Sequence, residues 1–117
     1  MNRLELLHEA VSRWGKESQI FMAIEEMAEL MKALSKARRK FGTEQIVNVL
    51  EEIADVRIML DQIQIIFEPL ANNEDMTYLV SLAEEGKLIR LAQLLGVKHE
   101  QGSHVGAIAE GKHDFLP

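Results

Sequence analysis

Two long segments with helical periodicity, joined by a very short connection, constrain this fold more than any other feature of the sequence. They span residues 16–40 and 44–67, and apolar side chains recur in both at steps of three and four. Gly42 lies between them, where helices commonly end, and Pro69 ends the second segment. Because short connections make consecutive helices antiparallel neighbours, the sequence predicts an antiparallel helical hairpin.

Shorter helical segments flank the predicted hairpin on both sides. Amphipathic patterns predict a helix over residues 2–13 and another over 73–95, whereas strand signals are nearly absent and only 5% of the residues are aromatic. The sequence therefore predicts an all-α fold, a hairpin plus flanking helices. We expect residues 1–96 to form one helical domain, followed by a C-terminal tail, residues 97–117, that has no clear period.

We expect apolar stripes on the two hairpin helices to form the core. The stripe of the first hairpin helix consists of Ala23, Ile24, Met27, Leu30, Met31 and Leu34. The stripe of the second consists of Val49, Ile53, Val56, Leu60, Ile63 and Phe67. A chain of 117 residues buries roughly two-thirds of its unfolded surface, so a few helices of this length can still need a partner to cover their apolar faces.

The composition excludes several classes of protein. A net charge of −6 argues against binding of a nucleic acid polymer, which depends on Lys and Arg at the phosphates. The absence of cysteine excludes disulfides and thiolate zinc sites. The first residues lack the apolar run of a signal peptide, and no apolar stretch approaches the roughly 20 residues of a membrane span. We therefore expect a cytoplasmic protein without a membrane or nucleic-acid partner.

Both hairpin helices carry the same acidic pattern. Each has two adjacent acids and a third acid three residues later: Glu25, Glu26 and Glu29, then Glu51, Glu52 and Asp55. Residues three apart share a helix face, so the second and third acids of each set point the same way. Their directions border the apolar stripes rather than open water, whereas the first acid of each set, Glu25 or Glu51, points further from the core.

Four carboxylates at the edge of a core require compensation, because like charges in a low dielectric cost several kcal/mol or force protonation. A hard divalent cation provides it, and Mg²⁺ takes oxygen ligands while keeping waters free for substrate phosphates. A solvated helix face is the ordinary interpretation of one such motif. Two motifs on antiparallel neighbours instead predict an all-oxygen Mg²⁺ site, with Mn²⁺ as a substitute, built from Glu26, Glu29, Glu52 and Asp55.

The two motifs resemble the signature of the MazG-type family of all-α nucleoside triphosphate pyrophosphohydrolases, EExxE followed by ExxD. Here the signature consists of Glu25-Glu26-x-x-Glu29 and, after residues 30–51, Glu52-x-x-Asp55. The segment WGKESQIFMA before the first motif and KLIRLAQLL in the last helix also resemble family segments. The resemblance covers residues 8–95, and the tail has no counterpart.

The resemblance implies Mg²⁺-dependent hydrolysis of a (deoxy)nucleoside triphosphate to the monophosphate and pyrophosphate, a reaction suited to nucleotide-pool sanitising. It implies a homodimer or a dimer of dimers, in which two subunits complete a four-helix-type bundle. By motif match, Glu26, Glu29, Glu52 and Asp55 are the implied metal ligands. Glu25 is implied to support them or to orient the attacking water.

Further residues are candidates for contacts with the substrate: Gln19, Met22, Lys36, Asn48, Lys87 and Arg90. The first two share a side of their helix with the acids and suit a nucleobase pocket, although a core methionine and an exposed glutamine explain them equally well. Lys36 and Asn48 align with acids of their own helices. The last two lie three apart on the final helix, where they suit phosphate contacts in their own or a neighbouring subunit.

Two other functions are compatible with clustered acids on helices. A di-iron carboxylate bundle requires Glu-x-x-His motifs, but Glu29 is followed by Lys32 and Glu52 by Asp55, so the histidines are missing. The other alternative is a non-catalytic helical dimerisation or regulatory module that keeps the acids as a structural metal site. Turnover of a nucleoside triphosphate distinguishes the hydrolase from that module.

Overall fold

The computed structural model describes residues 1–72 and 74–100, and within these ranges it contains only helices and loops. The α-helices are α1 (Arg3–Trp14), α2 (Lys16–Arg39), α3 (Thr43–Phe67) and α4 (Met76–Leu95), and a short 3₁₀ helix, Glu68–Ala71, follows α3. The prediction of an all-α fold is confirmed. The chain divides into two compact units, Met1–Asn72 and Asn73–Pro117, and most of the predicted tail lies outside the described residues.

A capping box and a glycine determine where α1 begins and ends. The Asn2 side chain accepts a hydrogen bond from the Glu5 backbone N–H, and the Glu5 carboxylate accepts one from the Asn2 N–H, which is a capping box at the start of α1. Gly15 separates α1 from α2 and has φ of 92°, a conformation that costs glycine little and other residues much. This glycine therefore allows α1 to end and α2 to begin within one residue.

The helices α2 and α3 form an antiparallel hairpin. Gln19, near the start of α2, donates from its side-chain amide to the amide oxygen of Gln62, near the end of α3, at 2.6 Å, and both residues are buried. The buried residues of α2 have small or amide side chains, namely Gln19, Ala23, Ala33 and Ala37. The buried residues of α3 are Gln45, Val56, Met59, Gln62 and Ile66. Alanine side chains on α2 let the two helix backbones approach closely.

The predicted core was wrong for much of the two apolar stripes. Seven residues of the predicted stripes are more than a third exposed in this chain: Ile24, Met27, Met31, Leu34, Ile53, Leu60 and Phe67. Ile46 and Leu50 of α3 are exposed beside the first six of these. We call those six residues, together with Ile46 and Leu50, the apolar flank. Successive helical residues turn by about 100°, so on α2 the flank projects opposite to Glu29, and on α3 opposite to Asp55. The prediction held for Ala23 and Val56, which are buried.

The second unit contains α4 and the residues that follow it. Asp75 caps the helix, and its carboxylate accepts hydrogen bonds from the backbone N–H groups of Thr77 and Tyr78 at 3.0 and 3.3 Å. Gly96 ends α4 in the left-handed conformation. None of the helices in the described part of the chain is long and apolar enough to cross a membrane.

Candidate metal centre

The acids of both motifs come together midway along the hairpin. Glu26 on α2 and Glu52 on α3 are half-buried at the interface between the two helices, whereas Asp55 lies at its exposed edge. Each of the three offers a carboxylate oxygen, and these oxygens all lie within 4.8 Å of one another. We call the three residues the acidic cluster. The packing of alanines above and below it brings acids from two helices within reach of one ion.

One oxygen of this cluster has no hydrogen-bond partner within residues 1–72 and 74–100. Glu52 Oε2 has less than 1 Å² of accessible surface and accepts no hydrogen bond from any described residue. A buried carboxylate oxygen without a donor carries a desolvation penalty that nothing in the described structure offsets. A divalent cation is the ligand that satisfies such an oxygen, so the donor set fits a hard metal ion such as Mg²⁺.

The electrostatics of the cluster agree with this geometry. Burial raises the pKa of Glu26, and the negative charge of Asp55 raises it further. The pKa of Glu52 is raised by the same two causes in the same order. Glu29 adds to the upward shift of both pKa values, which places its charge close to the cluster. The site therefore concentrates negative charge, and no lysine, arginine or histidine among the described residues forms an ion pair with Glu26, Glu52 or Asp55.

We expect the metal-free protein to lose stability as the pH rises from 4.5, the ordinary pKa of Glu26 and Glu52, through their raised folded-state values. In that range the folded state holds more protons than the unfolded state, so the free energy of unfolding falls with pH. Below pH 4.5 Glu26 and Glu52 are protonated in both the folded and the unfolded state, so the loss of stability disappears. Urea unfolding with a chelator at several pH values measures the slope. In the double variant Glu26→Gln/Glu52→Gln, the free energy of unfolding should fall less steeply with pH. An unchanged slope would contradict the conclusion that these two carboxylates destabilise the metal-free protein.

The other acids of the motifs surround the cluster. Glu29 is exposed and does not belong to the group of oxygens within 4.8 Å, so three of the four predicted ligands come together and the fourth lies beside them. Glu25 is exposed, and its charge also raises the pKa of Glu26. Glu51 is exposed, and its charge raises the pKa of Glu52.

An open pocket of about 350 Å³ lies along the same hairpin, towards the connection between α2 and α3. Two of the predicted substrate residues, Lys36 and Asn48, line it together with residues that the sequence analysis did not select: Glu44, Gln45, Val47 and Glu51. We call it the connection pocket. Of the missed residues, Glu44 and Glu51 share the helix side of Asn48 and Asp55, so projecting that side towards the start of α3 would have identified them. Gln45 and Val47 lie to either side of that direction and carry no such signal.

The remaining predicted substrate residues lie elsewhere. Gln19 is only 3% exposed and its amide is engaged by Gln62, so it belongs to the helix interface in this structure. Met22 is 39% exposed on α2, one turn before Glu26. Lys87 and Arg90 are exposed on α4, in the second unit.

Comparison with known proteins finds no protein-family model, curated protein or solved structure that matches the chain.

Proposed function

We propose that this chain is a Mg²⁺-dependent nucleoside triphosphate pyrophosphohydrolase that converts a (deoxy)nucleoside triphosphate and water to the monophosphate and pyrophosphate. The observation that carries the proposal is the acidic cluster: three carboxylates from two helices with oxygens within 4.8 Å, one oxygen being buried without a partner. A structural cluster of this kind without a cation is costly to fold. The resemblance of both motifs to the MazG-type signature supports the same conclusion.

Different acids of the chain would bind the metal ion and activate the attacking water. Glu26, Glu52 and Asp55 would hold the ion, and the charge of Glu29 acts on the same site. Bound magnesium supplies compensation for the charge of the polyphosphate and a Lewis-acid centre. Water attacks phosphorus at the α–β anhydride, that bond breaks and pyrophosphate leaves. Glu25 is exposed beside Glu26, where its carboxylate orients the water and accepts its proton.

The proposed enzyme is a homodimer, alone or within a dimer of dimers. The apolar flank of α2 and α3 contains eight large apolar side chains that the chain itself leaves exposed. Monomeric soluble proteins rarely expose a contiguous apolar surface of this kind. Stacking the flanks of two hairpins covers both and gives a four-helix-type bundle, with each acidic cluster on the side away from the flank. In this arrangement, dimer formation and metal binding use different sides of the hairpin.

Pyrophosphate release across a panel of ordinary and deoxynucleoside triphosphates tests the proposed activity. We expect release from at least one triphosphate with Mg²⁺ or Mn²⁺, and none after chelation with EDTA. The product ratio provides a control, because an enzyme of this type yields one monophosphate per pyrophosphate and no diphosphate. If the dimeric, metal-loaded protein releases pyrophosphate from no member of the panel, the proposal fails.

One observation favours the alternative function, a helical dimerisation or regulatory module with a structural metal site. The apolar flank alone suits a protein whose role is to associate. Metal that raises the melting temperature with no turnover of any triphosphate would support that module. Metal that is needed for turnover supports the hydrolase.

A further inference from the structure

The connection pocket differs in chemistry from the acidic cluster. It is lined by one cation, two carboxylates, two carboxamides and a valine: Lys36, Glu44, Glu51, Gln45, Asn48 and Val47. Its volume of about 350 Å³ is at the lower end of the range for small-molecule sites, roughly 300–1,000 Å³. That size suits one base with its sugar and is small for an entire triphosphate.

The charges of the pocket argue against phosphate as its ligand. Lys36 contributes one positive charge and the two glutamates contribute two negative charges, so the lining has a net charge of −1. No ion pair joins Lys36 to either glutamate within the described residues, so these groups are available to a ligand. Carboxylates repel phosphate oxygens but accept hydrogen bonds from amino groups. The pocket therefore suits a neutral, hydrogen-bonding group.

The distance between the connection pocket and the acidic cluster suits a neutral group that belongs to the same nucleotide as the phosphates. Asn48 lies one turn before Glu52 on α3, and Gln45 lies two turns before it, which corresponds to roughly 6 and 10 Å along the helix. On α2, Lys36 lies two turns after Glu29. A sugar separates the base of a nucleotide from its α-phosphate by a distance of this order. A triphosphate held at the cluster can therefore extend its base towards the connection between the helices.

We infer that the connection pocket binds the nucleobase of the substrate and selects bases with an exocyclic amino group, a conclusion that rests on the proposed pyrophosphohydrolase function. The glutamate carboxylates accept hydrogen bonds from the amino group, as acidic side chains do from the amino group of cytosine. The Asn48 amide, one turn from Glu44 and next to Glu51 on the helix surface, pairs with the adjacent ring acceptor. Uracil and thymine carry a carbonyl at the position of the amino group and meet carboxylate oxygens there, which is repulsive.

CTP and UTP provide a matched pair of substrates, because they differ only at the edge that the pocket is proposed to contact. Cytosine has an amino group and an adjacent N3 acceptor there, whereas uracil has a carbonyl and an adjacent N3–H donor. We expect the full-length protein with Mg²⁺ to show a kcat/KM for CTP about tenfold or more above that for UTP. In Glu44→Gln or Glu51→Gln this ratio should fall towards one, mainly through a higher KM for CTP, because an amide presents a donor as well as an acceptor. Glu17→Gln makes the same change at an exposed site on α2 outside the pocket and should keep the ratio of the unmodified protein.

Binding of a nonhydrolysable CTP analogue provides a readout that does not depend on turnover. Asn48→Ala should weaken binding of the analogue roughly tenfold while circular dichroism shows unchanged helix content. A ratio of kcat/KM for CTP to kcat/KM for UTP near one in the unmodified protein would overturn the pocket assignment. A ratio that stays unchanged in both glutamine variants would overturn it as well. In either case, measurable pyrophosphate release would leave the proposed function intact. Absence of pyrophosphate release from every triphosphate would instead remove the proposed function, and the inference with it.

Discussion

Replacing Glu52 by glutamine should abolish pyrophosphate release and, at the same time, stabilise the metal-free protein. Glu52 has a buried oxygen without a hydrogen-bond donor, and its carboxylate lies among the charges of Asp55, Glu29 and Glu51. The amide has nearly the same shape, carries no charge and donates hydrogen bonds to the neighbouring carboxylates. We expect a loss of at least about 100-fold in kcat/KM, because even residues that only orient metal ligands cost roughly 10–100-fold.

Three measurements test this prediction: steady-state kinetics, titration calorimetry with Mg²⁺, and the melting temperature in the presence of EDTA. The melting temperature without metal should be higher in Glu52→Gln than in the unmodified protein, and the increase on adding Mg²⁺ should be lost. Glu17→Gln provides a control for removing one negative charge from an exposed part of the hairpin. A variant that keeps its activity, or that melts at a lower temperature without metal, would show that Glu52 is a structural residue.

Replacing Met31 by lysine should convert the proposed dimer to a monomer. Met31 lies on the apolar flank and is 65% exposed, so a lysine there is tolerated by the isolated chain. At the centre of an apolar interface the same ammonium group would lose water without gaining a partner, which costs several kcal/mol. A penalty of that size raises the dissociation constant about a thousandfold or more, because each 1.4 kcal/mol corresponds to a factor of ten.

Sedimentation or light scattering should then give the mass of a single chain, 13.3 kDa, for Met31→Lys and a multiple of it for the unmodified protein. Phe41→Lys provides the matched control, because Phe41 is 81% exposed in the connection between α2 and α3, outside the flank. Unchanged helix content by circular dichroism confirms that loss of the dimer is not loss of the fold. A Met31→Lys protein that still forms dimers, or an unmodified protein that is monomeric, would refute the proposed interface.

Helix positions were predictable because single residues determine where these helices end. Gly15 and Pro69 each impose a backbone conformation or remove a donor, and the helices of the structure stop at Trp14 and Phe67, next to those signals. Chain direction in the hairpin followed from the short connection alone. These features depend on local chemistry, so one sequence is sufficient to place them.

The position of the acids was predictable only in part. Their spacing predicts that Glu26, Glu29, Glu52 and Asp55 all border the core, but only Glu26 and Glu52 are half-buried at the helix interface, whereas Glu29 and Asp55 are exposed. Periodicity reveals which residues share a face, but not how deeply each side chain is buried. It could not reveal that Glu29 would lie just outside the group that Glu26, Glu52 and Asp55 form, because that depends on individual side-chain conformations.

The partner of each helix face was not predictable from periodicity. The apolar stripe of α2 predicts a core of large side chains, but Ile24 and Met31 are exposed and the buried residues of α2 are Gln19 and three alanines instead. An apolar stripe indicates a surface that is buried, but it does not show whether the same chain or another chain buries it. Similarly, the buried pair of Gln19 and Gln62 depends on two residues far apart in sequence that become neighbours only after folding.

The alanines between α2 and α3 have a consequence for the choice of ion. Ala23, Ala33 and Ala37 set the spacing of the two backbones, and this spacing determines how far apart the oxygens of Glu26 and Glu52 stand. Under the proposed function, discrimination between a small ion such as Mg²⁺ and a larger one such as Ca²⁺ is therefore a property of methyl groups that never touch the ion. A relative with the same acids but bulkier side chains at those three positions would present a wider cage and accept cations of larger radius.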